Sequence, residues 1–158
     1  MSKCLGFDTC RYDGETVHSE GVNKMNERVN FIPICPEMSI GLGVPRDSIG
    51  IYKINGEFRL KQHSTGEDLT AKMRDFAREF FLKLGKIDGF ILKSRSPSCG
   101  VNDATIYSEN GALHNGTGVF TKMVIEKFPG TPLVDEKEID DKEFRELFLE
   151  RLVKSTHL

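Results

Sequence analysis

The chain has no long apolar run. No stretch approaches the roughly 18 consecutive apolar residues of a membrane span, and the first residues lack the apolar core of a secretory signal, so the cytoplasm is the expected location. Charge of neither sign dominates: 22 Lys and Arg stand against 24 Asp and Glu, a formal net charge of -2. Composition therefore announces no polyanionic partner, although a local basic patch stays compatible with it. Repeats, low-complexity tracts and linkers are lacking too, and the 158 residues are read as one domain large enough to bury a core. Cysteine is scarce. Four thiols, at 4, 10, 35 and 99, are too few for a disulfide scaffold and suit a reducing compartment. No two form a CxxC pair, which argues against a zinc ribbon or a thioredoxin-like motif.

What is present alternates between strand and helix patterns. "FIPIC" (31–35) is a short apolar run broken by Pro33. "GIYKINGEFRLKQ" (50–62) places Asn55-Gly56 between two partly alternating runs, a hairpin signal. From Asp68 to Leu84 apolar residues recur at helical spacing up to Gly85. "DGFILK" (88–93) reads as a strand. "ATIYSENGALHNG" reads as strand, Asn110-Gly111 turn, then strand or loop. "GVFTKMVIEKF" is a helix ended by Pro129-Gly130, "TPLV" (131–134) a buried strand, and "DDKEFRELFLERLVKS" a final amphipathic helix. This order predicts an α/β fold: a Rossmann-like three-layer domain with a partly parallel sheet and hairpin insertions.

In such folds ligands bind beyond the carboxyl ends of the strands. Cys35 ends "FIPIC", and Cys99 lies in "LKSRSPSCG" (92–100), a polar loop straight after an apolar strand. Its position predicts a thiol presented rather than packed. Cys4 follows only three residues, so any first strand is very short. Three separated cysteines at loop positions can hold an iron–sulfur cluster; the competing reading is ordinary buried thiols, among the commonest of core residues.

The segments "CLGFDTCRYDG" (4–14), "PICPEMSIGLGVPR" (33–46), "GEDLT" (66–70), "LKSRSPSCG", "IYSENG" (106–111) and "GTGVFT" (116–121) together resemble the TudS-type thiouracil desulfidase family, formerly a domain of unknown function. The likeness covers nearly the whole chain. Its central and C-terminal segments look closest to the RudS-like branch associated with 4-thiouridine removal from tRNA, whose extra C-terminal domain is not expected here. The resemblance implies a 4Fe–4S cluster on Cys4, Cys35 and Cys99, with the fourth iron accepting the substrate's sulfur. It differs at "CLGF", where the family usually has its glycine one residue later, so Cys10 stands as the alternative ligand to Cys4.

The implied reaction is hydrolytic. Iron polarises a thiocarbonyl, water attacks its carbon and sulfide leaves, without net redox change. Glu37 is the candidate general acid/base, and Ser96 and Ser98 are candidates to orient substrate or relay a proton. Their plainer readings are a helix cap near Met38 for Glu37 and turn formation around Pro97 for the serines. Arg46 and Lys93 are assigned to a substrate phosphate, with Arg11 and Arg95 as further cations; ordinary surface charge is the alternative. Asp8 and Asp13 read mainly as turn residues, and His18, His63, His114 and His157 as surface or turn histidines. "GTG" (116–118), before a helix, is a weak phosphate-cradle signal. The expected substrate is a small thiolated base or nucleotide, with tRNA as a further possibility and no membrane partner; oligomeric state is not indicated. An iron–sulfur enzyme for another thio-compound or sulfur carrier, and a non-enzymatic cluster sensor, are the alternatives.

Overall fold

A computed structural model describes residues 1–156; His157 lies outside the described residues. The elements run α1 (Glu20–Met25), α2 (Pro36–Ser39), β1 (Ile49–Ile54), β2 (Glu57–Gln62), α3 (Thr70–Lys83), β3 (Phe90–Leu92), β4 (Ala104–Ser108), β5 (Leu113–Gly116), α4 (Val119–Lys127), β6 (Leu133–Asp135), α5 (Glu136–Asp140) and α6 (Lys142–Thr156). No helix among the described residues is long and apolar enough to cross a membrane.

The expected α/β fold is observed, with its strands divided between two sheets. Four strands form a mixed sheet in the order β2-β1-β4-β5, and β3 pairs in parallel with β6. β1 and β2 make the predicted hairpin. Asn55 and Gly56 both take positive φ, 50° and 79°, as a type I′ turn demands.

The small sheet is the spine of the molecule. Along β3 the side chains alternate, as a pleat requires. Phe90 and Leu92 join a core with Met73 and Ala77 of α3 and Phe120 and Val124 of α4. Ile91 joins a second core with Met25 of α1, Ile139 of α5 and Phe148 of α6. The two helical layers thus flank β3, which gives the three layers.

The run 31–35 does not form a strand. Ile34 makes a single parallel bridge to Ser2, and Pro33, which has no N–H, cannot extend the ladder. Ser2 in turn donates its amide to the Ile91 carbonyl at 2.9 Å. The start of the chain therefore lies between Ile34 and β3, a first strand shrunk to one bridged residue. Two short helices fall outside the sequence reading. α1 is capped by Ser19, which accepts from the Val22 amide at 3.2 Å. α5 is held by a capping box between Asp135 and Glu138, so the C-terminal helical segment is two helices.

Candidate functional site

Each of the three cysteines at 4, 35 and 99 follows a segment of the small sheet. Cys4 comes two residues after bridged Ser2, Cys35 directly after bridged Ile34, and Cys99 in the loop after β3. Cys35 is the N-cap of α2, and Pro36 at the first helical position turns the chain sharply there. The Cys99 loop is built more elaborately. Arg95 takes a left-handed φ of 57°, and the Ser96 hydroxyl accepts from the amides of Ser98 (3.2 Å) and Cys99 (2.9 Å). On its far side, the amides of Gly118, Val119 and Phe120 donate to the carbonyls of Gly100, Pro97 and Ser98 at 2.8, 2.9 and 3.0 Å. The start of α4 thus grips the cysteine loop, and within "GTG" the Gly118 amide is taken by that grip rather than left for a phosphate.

Gly118 is required by this grip. Its φ of -59° suits any residue, but a Cβ would stand 2.5 Å from the Ser98 carbonyl oxygen and 2.8 Å from the Cys99 amide nitrogen. Both obstacles are backbone. Gly118→Ala is expected to cost about 1–3 kcal/mol, the usual range for overpacking, and to lower iron uptake by displacing Cys99. An unchanged denaturant midpoint would show that the loop is not held as described.

All four cysteines are free and line one cavity of about 380 Å3, together with Glu37, Arg46 and Lys93. A larger cavity of about 710 Å3, between Phe80, Phe90 and Phe148, contains no thiol and stands apart from this chemistry. Burial first, then the neighbouring Cys35, pushes the Cys4 thiol up to about 12. The same two causes, in the same order, push Cys10 up to about 12. Cys99, expected to be presented rather than packed, is instead buried at 4% exposure, because the start of α4 closes over its loop; that burial outweighs the hydrogen bond with Ser2 and raises its thiol as well. The raised thiols of Cys4, Cys10 and Cys99 resist ionisation unless a positive centre joins them, and a coordinating metal deprotonates each cysteine that it binds. Among the described residues no three His, Cys, Asp or Glu are grouped to hold a single ion. In an iron–sulfur cluster, by contrast, the thiolates sit on different irons.

Beside the thiols stands a fixed carboxylate. The Arg46 guanidinium donates to Glu37 Oε2 from Nε (3.0 Å) and from Nη2 (2.5 Å), and the Ser98 hydroxyl donates to Glu37 Oε1 at 3.0 Å. Arg46 also donates to the carbonyls of Gly43 and Cys10, both at 3.0 Å. Its side chain is only 5% exposed. Arg46 is therefore structural to the cavity wall rather than open to a phosphate. Lys93 is likewise engaged, with Nζ 2.6 Å from Glu136 Oε1 and 3.1 Å from the Ser94 hydroxyl. Glu136 also receives the Ser94 amide and hydroxyl, at 2.7 and 2.6 Å. Burial alone would raise this carboxyl, yet the bonds from Lys93 and Ser94 hold it below its ordinary value.

The remaining candidates separate cleanly. Ser96 lines the cavity, but its hydroxyl oxygen is engaged by the loop amides; Ser98 is fully buried and reaches the site only through Glu37. Asp8 pairs with Lys3, and Asp13 pairs with Arg11 and accepts from the Glu15 amide. His63 lies outside the cavity, bonded to Tyr52, and neither His18 nor His114 lines it. Arg95 is exposed, lines the cavity, and its guanidinium has no partner among the described residues. Glu136 carried no signal in the sequence, and Gly118 stood out only within "GTG", read as a weak phosphate cradle; the partners of both lie far away along the chain.

The 2-thiouracil desulfurase family model matches residues 1–136, which include every residue of this site. The chain belongs to that family. As a 2-thiouracil desulfurase family member it is 30% identical over 148 residues to the uncharacterized protein YbbK of Bacillus subtilis (strain 168), covering 89% of this chain and 97% of that one. It also matches the solved structure of a 4Fe-4S-dependent thiouracil desulfidase, TudS. The TM-score is 0.63 at 27% identity, over 87% of this chain and 89% of the other. The family likeness read in "PICPEMSIGLGVPR" and "LKSRSPSCG" is thereby shown.

Proposed function

We propose that this protein is an iron–sulfur-dependent desulfidase that removes sulfur from a thiolated pyrimidine by hydrolysis, giving the carbonyl compound and hydrogen sulfide. The observation that carries this is one cavity lined by Cys4, Cys35 and Cys99, with Cys10 among them, beside an arginine-fixed carboxylate. Cys4, Cys35 and Cys99 would hold a 4Fe–4S cluster. Bound by three thiolates, it supplies one open iron as a Lewis acid that polarises the thiocarbonyl carbon toward water.

The other roles belong to side chains. Glu37 takes a proton from the attacking water and returns it to the departing sulfur. Arg46 and Ser98 each hold one carboxylate oxygen, so Glu37 has little rotational freedom to lose before reaction. Lys93, whose charge favours the Cys4 thiolate, offsets part of the negative charge gathered in the cavity. The volume of about 380 Å3 is within the range of small-ligand sites.

The substrate is a thiolated base or its nucleotide, and Arg95 replaces Arg46 and Lys93 as the cation for a phosphate. Arg95→Ala is expected to raise the KM for 4-thiouridine monophosphate by roughly 10–100-fold, since a hydrogen bond to a charged group is worth about 1.5–3 kcal/mol. The KM for free thiouracil should not move. Equal effects on base and nucleotide would remove Arg95 from recognition. Anaerobic reconstitution followed by sulfide release from 2-thiouracil, 4-thiouracil, 4-thiouridine monophosphate and thiolated tRNA tests the whole reading. Cluster binding without sulfide release from any of them would leave a sensor or binding module.

A further inference from the structure

Cys10 is the thiol of the cavity that the proposed reaction does not use, yet its placement is tightly specified. It is 2% exposed, and its carbonyl is anchored by Arg46 at 3.0 Å. The Cys35 sulfur lies 3.7 Å from that same carbonyl oxygen, and both thiols line the one cavity. Cys35 is the more accessible of the pair. Cys10 also sits in an irregular loop ending in a turn at Gly14, with Tyr12 beside it 47% exposed. A small loop movement can therefore carry one sulfur to the other.

We infer that Cys10 and Cys35 form a redox-modification site, in which Cys10 resolves a peroxide-oxidised Cys35 into a reversible disulfide once iron is lost. The inference rests on Cys35 being a cluster ligand. When that ligand is uncovered, the Cys35 thiol attacks hydrogen peroxide, giving a sulfenic acid and one water. The Cys10 sulfur then displaces the hydroxyl: the S–S bond forms, the S–O bond breaks, and hydroxyl leaves with the Cys10 proton as a second water. Two thiols give up two electrons and one peroxide accepts them. Without a resolving partner a sulfenic acid advances to sulfinic acid, which thiols do not reverse. The disulfide, by contrast, returns both thiols on reduction, and with them the ligand.

The test uses the full chain, stripped of iron by a chelator and treated with one equivalent of hydrogen peroxide. Free thiols should fall from four to two, and peptide mapping without reductant should join the Cys10 and Cys35 peptides. A dithiol should then restore iron uptake to the wild-type chain. Treated with two equivalents of hydrogen peroxide, one for each oxidation step, Cys10→Ser should carry Cys35 as sulfinic acid and fail to recover iron uptake with a dithiol. A dominant Cys4–Cys35 or Cys35–Cys99 link, or full recovery by Cys10→Ser, would overturn the inference. Failure of untreated Cys10→Ser to bind a cluster would overturn the ligand set instead, and the wild-type map still decides the disulfide because it is made without iron.

Discussion

Anaerobically reconstituted Cys99→Ala protein is expected to retain almost no iron or acid-labile sulfide, and no desulfidase activity. The backbone around Cys99 gives no reason for the fold to fail. Its amide is bound by Ser96 Oγ and its neighbours' carbonyls by the start of α4, and none of those bonds uses the thiol. The variant therefore separates ligand loss from loop collapse: unfolding should stay cooperative while the iron content drops. Cys4→Ala and Cys35→Ala should behave alike, because removing any one of three thiolates leaves too few anchors. Cys10→Ala should keep its iron. If Cys10→Ala loses the cluster and Cys4→Ala keeps it, Cys10 rather than Cys4 is the third ligand. The measurement is iron and sulfide per chain alongside a denaturant melt.

Glu37→Gln should assemble a cluster yet turn over roughly 10²–10⁴-fold more slowly, the span expected when a general acid–base group is lost. The amide keeps the shape and an oxygen for Ser98, but it cannot exchange a proton as a carboxylate does. It also strands Arg46, whose side chain is 5% exposed and has Glu37 as its ion-pair partner. Breaking one half of a buried pair costs about 3–5 kcal/mol, so the unfolding midpoint should fall too. Arg46→Met supplies the control. It strands the carboxylate rather than removing it, so comparable instability with a smaller kcat loss assigns the chemistry to Glu37. Near-normal sulfide release by Glu37→Gln would take Glu37 out of the mechanism.

Where the physics is local, the sequence was readable. The Asn55-Gly56 hairpin, the spacing that makes α3, the strand "GFILK" and the helix ended by Pro129-Gly130 each depend on neighbours within a turn or two, and each is present. α1 has six residues and α5 five, too few to show a helical period. For α5 the Asp135–Glu138 spacing was a usable capping signal. The cations show the opposite limit. Arg46 and Lys93 lie in the cysteine-bearing segments "PICPEMSIGLGVPR" and "LKSRSPSCG" and were assigned to a substrate phosphate. Their actual partners are carboxylates 9 and 43 residues away, delivered by the folding of separate loops. The Ser98 hydroxyl donates to Glu37, 61 residues away, and α4 amides hold the Ser98 carbonyl, relations no local pattern encodes.

The single bridged residue at the chain's start has a consequence for the order of assembly. Ser2 joins Ile34 on one side and β3 on the other, and its hydroxyl accepts from the Lys93 amide 91 positions away. The entropy of closing so large a loop rises only slowly with its length, but contacts this distant slow the search for the native pairing. During synthesis Cys4, Cys10 and Cys35 all emerge before β3 exists to seat Ser2 between its neighbours. A nascent chain thus carries three thiols with no cavity around them, and the pocket closes in one late event when β3 and the Cys99 loop arrive. A complete cavity therefore requires the middle strand and the Cys99 loop, and cannot exist when the first cysteine appears.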